Sequence, residues 1–140
     1  MGQFATGVAV ATTRGPAGLT TNAFSSLSLD PALVLVCLDL DSRTLVAVRE
    51  HRRLAVNVLS ASQEELAVKF AGKGAHVEKF QDVGWREEAG VPVLDGTVAW
   101  VAGQVLELVP GGDHVIAITA ADAFDAPGGK PLIFHDGAYR

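Results

Sequence analysis

The feature that most constrains this chain lies in its C-terminal half. Residues 97–109 and 114–121 are two long β-rich runs, joined only by Pro110-Gly111-Gly112-Asp113. Pro, Gly and Asp between such runs are turn chemistry, so the pair reads as an antiparallel hairpin. A second turn at Ala126-Pro127-Gly128-Gly129 leads into a last strand over 132–135. A doubly wound sheet needs a helix between successive strands, and this half of the chain has no segment to supply one. The expected fold class is therefore mainly β, an antiparallel barrel with helical insertions.

The N-terminal half adds strands and places the helices. Residues 8–13 are short and β-branched, Arg14-Gly15-Pro16-Ala17-Gly18 turns them back, and 19–24 is the returning strand. A polar passage over 25–30 ends at Pro31. The run 33–38 is almost wholly apolar and reads as a strand buried on both faces. Asp41 or Ser42 caps a helix to about Arg49. Another strand follows over 54–59, then a helix to about Phe70 opened by a Ser62–Glu65 capping box. Residues 72–90 are Gly-rich and charged, an excursion anchored by Phe80 and Trp85. Seven strands and two helices over residues 1–140 make one domain.

Composition removes several function classes. Hydrophobic residues are 49% and charged ones 19%, enough apolar surface for a packed core. A net charge of −5 speaks against nucleic acid, because phosphate recognition needs a basic face. The lone Cys37 has no disulfide partner within the chain, which fits a reducing, cytoplasmic setting. No basic segment and apolar core of a signal peptide are present, and no apolar run approaches the roughly 18–20 residues of a membrane helix. Met1-Gly2-Gln3-Phe4-Ala5-Thr6 fits the loose myristoylation pattern, but no polybasic patch supports an anchor, so it reads as the approach to a strand.

Dinucleotide, P-loop, nucleophile-elbow and zinc-protease motifs are all missing. His51, His76, His114 and His135 have no ligand spacing, so no metal is expected. Demanding chemistry would then come from a bound organic cofactor.

The stretch 19–44, LTTNAFSSLSLDPALVLVCLDLDSRT, has the polarity such a cofactor needs. A flavin has a flat apolar ring with a polar edge, and a ribityl tail ending in phosphate. Thr20, Thr21, Asn22, Ser25 and Ser26 can serve the ring edge. Ser42, Arg43 and Thr44 stand at a helix start, where free N–H groups, the helix dipole and a cation favour phosphate. Taken singly, the first group also fits a solvated strand face and the second plain helix capping.

These residues carry a family resemblance. Phe4-Ala5-Thr6-Gly7-Val8-Ala9-Val10, followed by Leu19-Thr20-Thr21-Asn22-Ala23-Phe24-Ser25-Ser26-Leu27-Ser28-Leu29-Asp30-Pro31, resembles the short-chain flavin reductases. Ser42-Arg43-Thr44, Ala55-Val56-Asn57-Val58-Leu59, Phe70-Ala71 and Gly112-Asp113-His114 match in order, so the resemblance spans nearly the whole chain. It implies a six-stranded, Greek-key, FMN-binding split β-barrel that forms a homodimer. It also implies an NAD(P)H-dependent flavin reductase, in which NADH or NADPH reduces FMN or FAD and the reduced flavin can leave for a partner monooxygenase.

Carried over by position, Asn22, Ala23, Ser25 and Ser26 line the ring, and Cys37, Leu38 and Asp39 run past its edge. Ser42 and Thr44 hold the phosphate, with Phe70 and Lys73 near the tail and His114 facing the nicotinamide. Two positions depart from the family pattern: Thr21 and Ala23 stand where alanine and serine are expected. The family's usual leading helix has only Met1 to Gln3 in its place.

Outside the site, Asn57 in an apolar strand needs a hydrogen-bond partner if buried. Trp85 and Trp100 read as packing residues, and Cys37 as a small hydrophobe beside the flavin. Two rival functions remain: a split barrel with tightly held FMN acting as an oxidase or flavin carrier, and a barrel used only as an interaction module.

Overall fold

The computed structural model describes residues 1–140. Its frame is a seven-stranded antiparallel sheet built from three hairpins and one crossing strand. The long hairpin pairs β9 (Ala99–Gly111) with β10 (His114–Asp125), from Gly111 opposite His114 to Trp100 opposite Asp125. Its two-residue turn has Gly112 in the left-handed region at φ 69°, where glycine carries no steric cost. On one side β10 pairs with β5 (Ala32–Asp39), which pairs with β4 (Phe24–Leu29). On the other, β9 pairs with β6 (Arg53–Val58), then β2 (Ala9–Thr13), then β3 (Ala17–Thr21). Strands β5 and β6 are consecutive yet lie on opposite sides of the long hairpin. That crossover is of the kind a Greek key uses.

The sheet is mainly β and antiparallel as expected, with seven strands in place of six. The extra strand is β4, read from sequence as a polar passage. Its serines sit on a sheet edge where one face meets solvent, so it needs no apolar alternation to pair by its backbone. The two-sided burial expected of 33–38 is also only partly met. Val36 and Leu38 are fully buried, while Leu33, Val34, Leu35 and Cys37 are half-buried.

Smaller elements complete the chain. A three-stranded sheet joins β1 (Thr6–Gly7), β11 (Ile133–His135) and β12 (Ala138–Tyr139), and β7 (Trp85–Glu88) pairs with β8 (Val91–Leu94). The helices are α1 (Arg43–His51), α2 (Glu64–Ala71) and α3 (His76–Phe80). Helix α1 is capped by Ser42, whose Oγ accepts from the Leu45 N–H at 3.0 Å, and its Leu45 and Val48 enter the core of the main sheet. The Ser62–Glu65 box does not form. Gln63 reaches back instead, its Oε1 accepting from the Ser60 N–H at 2.9 Å. The Gln63 N–H donates in turn to the Ser60 carbonyl at 2.9 Å, closing a turn ahead of the helix. Phe80 anchors the excursion by stacking edge-on to Phe70 at 4.9 Å, and Trp85, 40% exposed, covers it at 6.0 Å.

Asn57 finds its partners. Fully buried in β6, it donates from Nδ2 to the Val10 carbonyl and Thr12 Oγ1 and accepts at Oδ1 from the Leu94 N–H. It therefore ties β2 to β8 as well as to its own strand. Asn57→Ala is expected to destabilise the fold by about 2 kcal/mol, since the Leu94 N–H, the Val10 carbonyl and Thr12 Oγ1 each lose a buried hydrogen bond. Chemical denaturation that gave an unfolding free energy within about 0.2 kcal/mol of the wild type would contradict this role.

Candidate functional site

The main sheet curls until its edge strand β3 approaches β5 without pairing to it. In that split lies a cleft of about 450 Å³, within the range of small-molecule sites. Strand β3 contributes Leu19, Thr20 and Thr21 to one wall, and β5 contributes Cys37 and Asp39 to the other. The N-terminus of α1 closes one end with Ser42, Arg43 and Thr44. The end of α2 and the turn after it add Phe70 and Lys73, and His114 stands at the start of β10.

Ser42, Arg43 and Thr44, the residues expected at a phosphate, come together at one end of the cleft. Residues Arg43 and Thr44 are in the first turn of α1, whose backbone N–H groups have no intrahelical acceptor. Thr44 is only 1% exposed, and its Oγ1 has no hydrogen-bond partner. A buried hydroxyl of this kind normally has a partner, and this one lines the cleft with its hydrogen-bonding capacity unspent.

The ring-edge half is different. Thr20 Oγ1 donates to the Ala67 carbonyl at 2.6 Å, fastening β3 to α2, and Thr21 Oγ1 accepts from the Ala23 N–H at 3.0 Å. Both hydroxyls are thus partly committed within the protein. Ser25 and Ser26 are exposed on β4 outside this cleft, with Ser25 Oγ donating to the Ser26 carbonyl. Asn22 is exposed beside a second hollow of about 230 Å³ shared with Phe4, Phe24 and Val58. Ala23 is half-buried in the turn before β4. Leu38 points the other way from Cys37 and Asp39, its side chain fully buried in the core, so only its backbone can border the cleft.

At the mouth, His114 Nδ1 is 2.7 Å from Asp113 Oδ1. The Asp113 carboxylate accepts that hydrogen bond and is held below the ordinary carboxylate range by it and by the imidazole's charge. The bond assigns the proton to Nδ1 and leaves Nε2 available to a ligand.

Two residues of the cleft lie outside the motifs read from sequence: His76 and Lys79, on α3. Lys79 is 8% exposed, and its Nζ donates to the carbonyls of Gly18 and Phe70, each at 3.1 Å. In sequence they are two residues of a charged, Gly-rich excursion. Only the Phe80 that follows, an aromatic anchoring α3 on Phe70, hints that this segment folds back on the site. The lining holds Arg43, Lys73 and Lys79 against Asp39 and Asp41, a small local excess of positive charge in a chain of net charge −5. Such a local field favours an anionic ligand.

A flavin fits these features. The cleft has the volume of a small-molecule site, a helix N-terminus with an orphaned buried hydroxyl at one end, and a histidine at its mouth. Comparison with known proteins points the same way. The family model described as flavin reductase like domain matches residues 1–140. The reductase subunit HsaB of a flavin-dependent monooxygenase from Mycobacterium tuberculosis is 36% identical over 146 residues, covering 99% of this chain and 77% of its own length. An NADH-dependent flavin reductase of a Rhodococcus species is 34% identical, covering 100% of this chain and 81% of the relative. Among solved structures, the NADH:FAD oxidoreductase SgcE6 of Streptomyces globisporus, in complex with NAD and FAD fragments, superposes with a TM-score of 0.92. It is 37% identical over 99% of this chain and 86% of that one. This chain belongs to the flavin reductase like domain family.

Proposed function

We propose that this chain is a flavin reductase that uses reduced nicotinamide to reduce FMN or FAD and releases reduced flavin to a partner monooxygenase. The observation that carries this reading is the cleft end at α1, where first-turn N–H groups, Arg43 and the partnerless buried Thr44 hydroxyl converge. A flavin bound there would accept a hydride, two electrons and one proton, from the nicotinamide.

The chain's own residues bind and orient. Ser42 fixes the start of α1 through its bond to the Leu45 N–H, so the free N–H groups of the first turn hold one direction. Arg43 and Lys73 add charge for the phosphate. The half-buried Cys37 contributes an apolar strip of β5 for the ring, and the β3 wall faces it across the split. His114, oriented by Asp113, is placed to position the nicotinamide. Hydride transfer requires no strong base, so its effect is on binding. His114→Ala is expected to raise the KM for NADH about tenfold, the equivalent of one lost hydrogen bond to a ligand, with flavin affinity unchanged. An unaltered KM for NADH removes His114 from this role.

A homodimer is part of the proposal. Phe4 (76% exposed) and, on the edge strand β4, Leu27 and Leu29 (47% and 94% exposed) leave apolar surface for a second copy to cover. The free Cys37 is compatible with a cytoplasmic setting, and no helix is long and apolar enough to cross a membrane.

The test is NADH consumption in air with free flavin added. The proposal expects consumption that rises with flavin concentration and survives removal of all tightly bound pigment. Activity that persists undiminished without added flavin would favour a protein with permanently held FMN.

A further inference from the structure

A second hollow, of about 230 Å³, adjoins the cleft, and Thr21 is the one residue that lines both. It lies between residues 4–9, the turn from β3 to β4 and the end of β6. Sites that enclose a whole drug-sized molecule measure roughly 300–1,000 Å³, so a hollow this small can seat one ring system of a larger ligand.

Its lining suits a flat ring with a polar edge. Phe4 and Phe24 supply two phenyl rings, and Val8, Ala9 and Val58 an apolar floor. The polar groups are few and have capacity to spare. Thr6 Oγ1 is buried without a hydrogen-bond partner. Thr21 Oγ1 accepts from the Ala23 N–H at 3.0 Å, which leaves its own hydrogen free to donate. Asn22 is exposed on the turn between them. That turn is pinned twice, by the Thr21 bond and by the Cys37 N–H donating to the Ala23 carbonyl at 2.9 Å. A carboxamide on such a turn offers a donor and an acceptor side by side, already in place.

Adenine answers this set. Its edge presents an amino donor beside a ring-nitrogen acceptor, the pattern that asparagine pairs bidentately. Its faces stack on aromatic side chains, and its other ring nitrogens can accept from the two threonine hydroxyls. No Lys or Arg lines the hollow, so it holds nothing for the phosphates of a nucleotide.

We propose that the second hollow is an adenine subsite, taking the base of the dinucleotide reductant or of FAD while the reacting ring lies in the cleft beyond Thr21. The subsite follows from the hollow's own residues; which nucleotide fills it rests on the reductase function proposed above. Asn22, expected at the flavin ring, then serves a different group of the complex.

The test titrates AMP by saturation-transfer NMR and compares Kd values for FMN and FAD, and KM values for NADH and reduced nicotinamide mononucleotide, in the wild type, Asn22→Ala and Thr6→Val. AMP is expected to bind the flavin-free wild type and to weaken about tenfold in Asn22→Ala, the scale of one lost bidentate contact to a base. Thr6→Val is expected to weaken AMP about threefold, and it keeps the proposal testable if Asn22→Ala disturbs the turn. A KM for NADH that rises in Asn22→Ala, with that for the mononucleotide unchanged, supports the subsite and assigns the base to the reductant. A Kd for FAD that rises while FMN and NADH are unchanged supports it and assigns the base to FAD. Equal losses for FMN and FAD would return Asn22 to the flavin ring and overturn the subsite, as would a wild type that does not bind AMP. A protein that binds AMP but no flavin keeps the subsite and loses the reductase function instead.

Discussion

Thr44→Val is expected to raise the stability of the ligand-free protein and to weaken FMN binding at the same time. The hydroxyl it removes is buried and unpartnered, a state that costs about 1–3 kcal/mol. Valine keeps the shape and removes the cost. At this chain length each kcal/mol corresponds to roughly 3–5 °C in Tm, so a rise of a few degrees is expected. The same hydroxyl is, in this account, a donor to a phosphate oxygen. Its loss should weaken FMN about tenfold or more, as for other hydrogen bonds to charged groups. Opposite signs in thermal melting and in FMN titration identify a ligand-binding hydroxyl. A fall in Tm with unchanged FMN binding would make Thr44 an ordinary core residue.

Gly103→Ala is expected to be the most damaging small change in the chain. Gly103 pairs with Leu54 on one side and Ala121 on the other, in the middle of the main sheet. The register of β9 against β10 shifts between Ala121 and Ala123, the mark of a bulge. The bulge brings the opposing backbone inward: a Cβ on Gly103 would lie 1.6 Å from the Ala120 carbonyl oxygen and 2.7 Å from its carbon. Backbone, not a flexible side chain, would have to move. The expected loss is about 3 kcal/mol or more, at the severe end of overpacking. Gly7→Ala is the matched control, since nothing lies within 4 Å of its added Cβ. A Gly103→Ala protein with the wild-type midpoint would mean that β9 and β10 do not cross as closely as described.

Much of this architecture is legible in the sequence because local chemistry and global role agree. The 97–121 hairpin has its turn residues where the strands end, and the run 33–38 has too few polar residues to be anything but a strand. Helix α1 begins at the Ser42 that caps it. The misses have physical reasons. Strands β7 and β8 are four residues each, and Pro92 interrupts β8, so neither carries a readable period. Strand β4 is polar because it is an edge.

The site divides in the same way. Its phosphate half is a contiguous triplet at a helix start, where one segment supplies both geometry and charge. The ring-edge half rests on residue type and on the family resemblance, and neither says which hydroxyls the protein has already engaged, as it has those of Thr20 and Thr21. His76 and Lys79 were out of reach for another reason. More than fifty residues separate them from β3, and the Phe70–Phe80 contact brings α3 back to it.

A flavin reductase passes a hydride from reduced nicotinamide to flavin. Anaerobic mixing of the protein with NADH and oxidised FMN or FAD tests it without any partner enzyme. Bleaching of the flavin absorbance is expected, with one NADH consumed per flavin reduced, at a rate proportional to protein concentration and slowed in His114→Ala at low NADH. Bleaching no faster than in the protein-free control would contradict it.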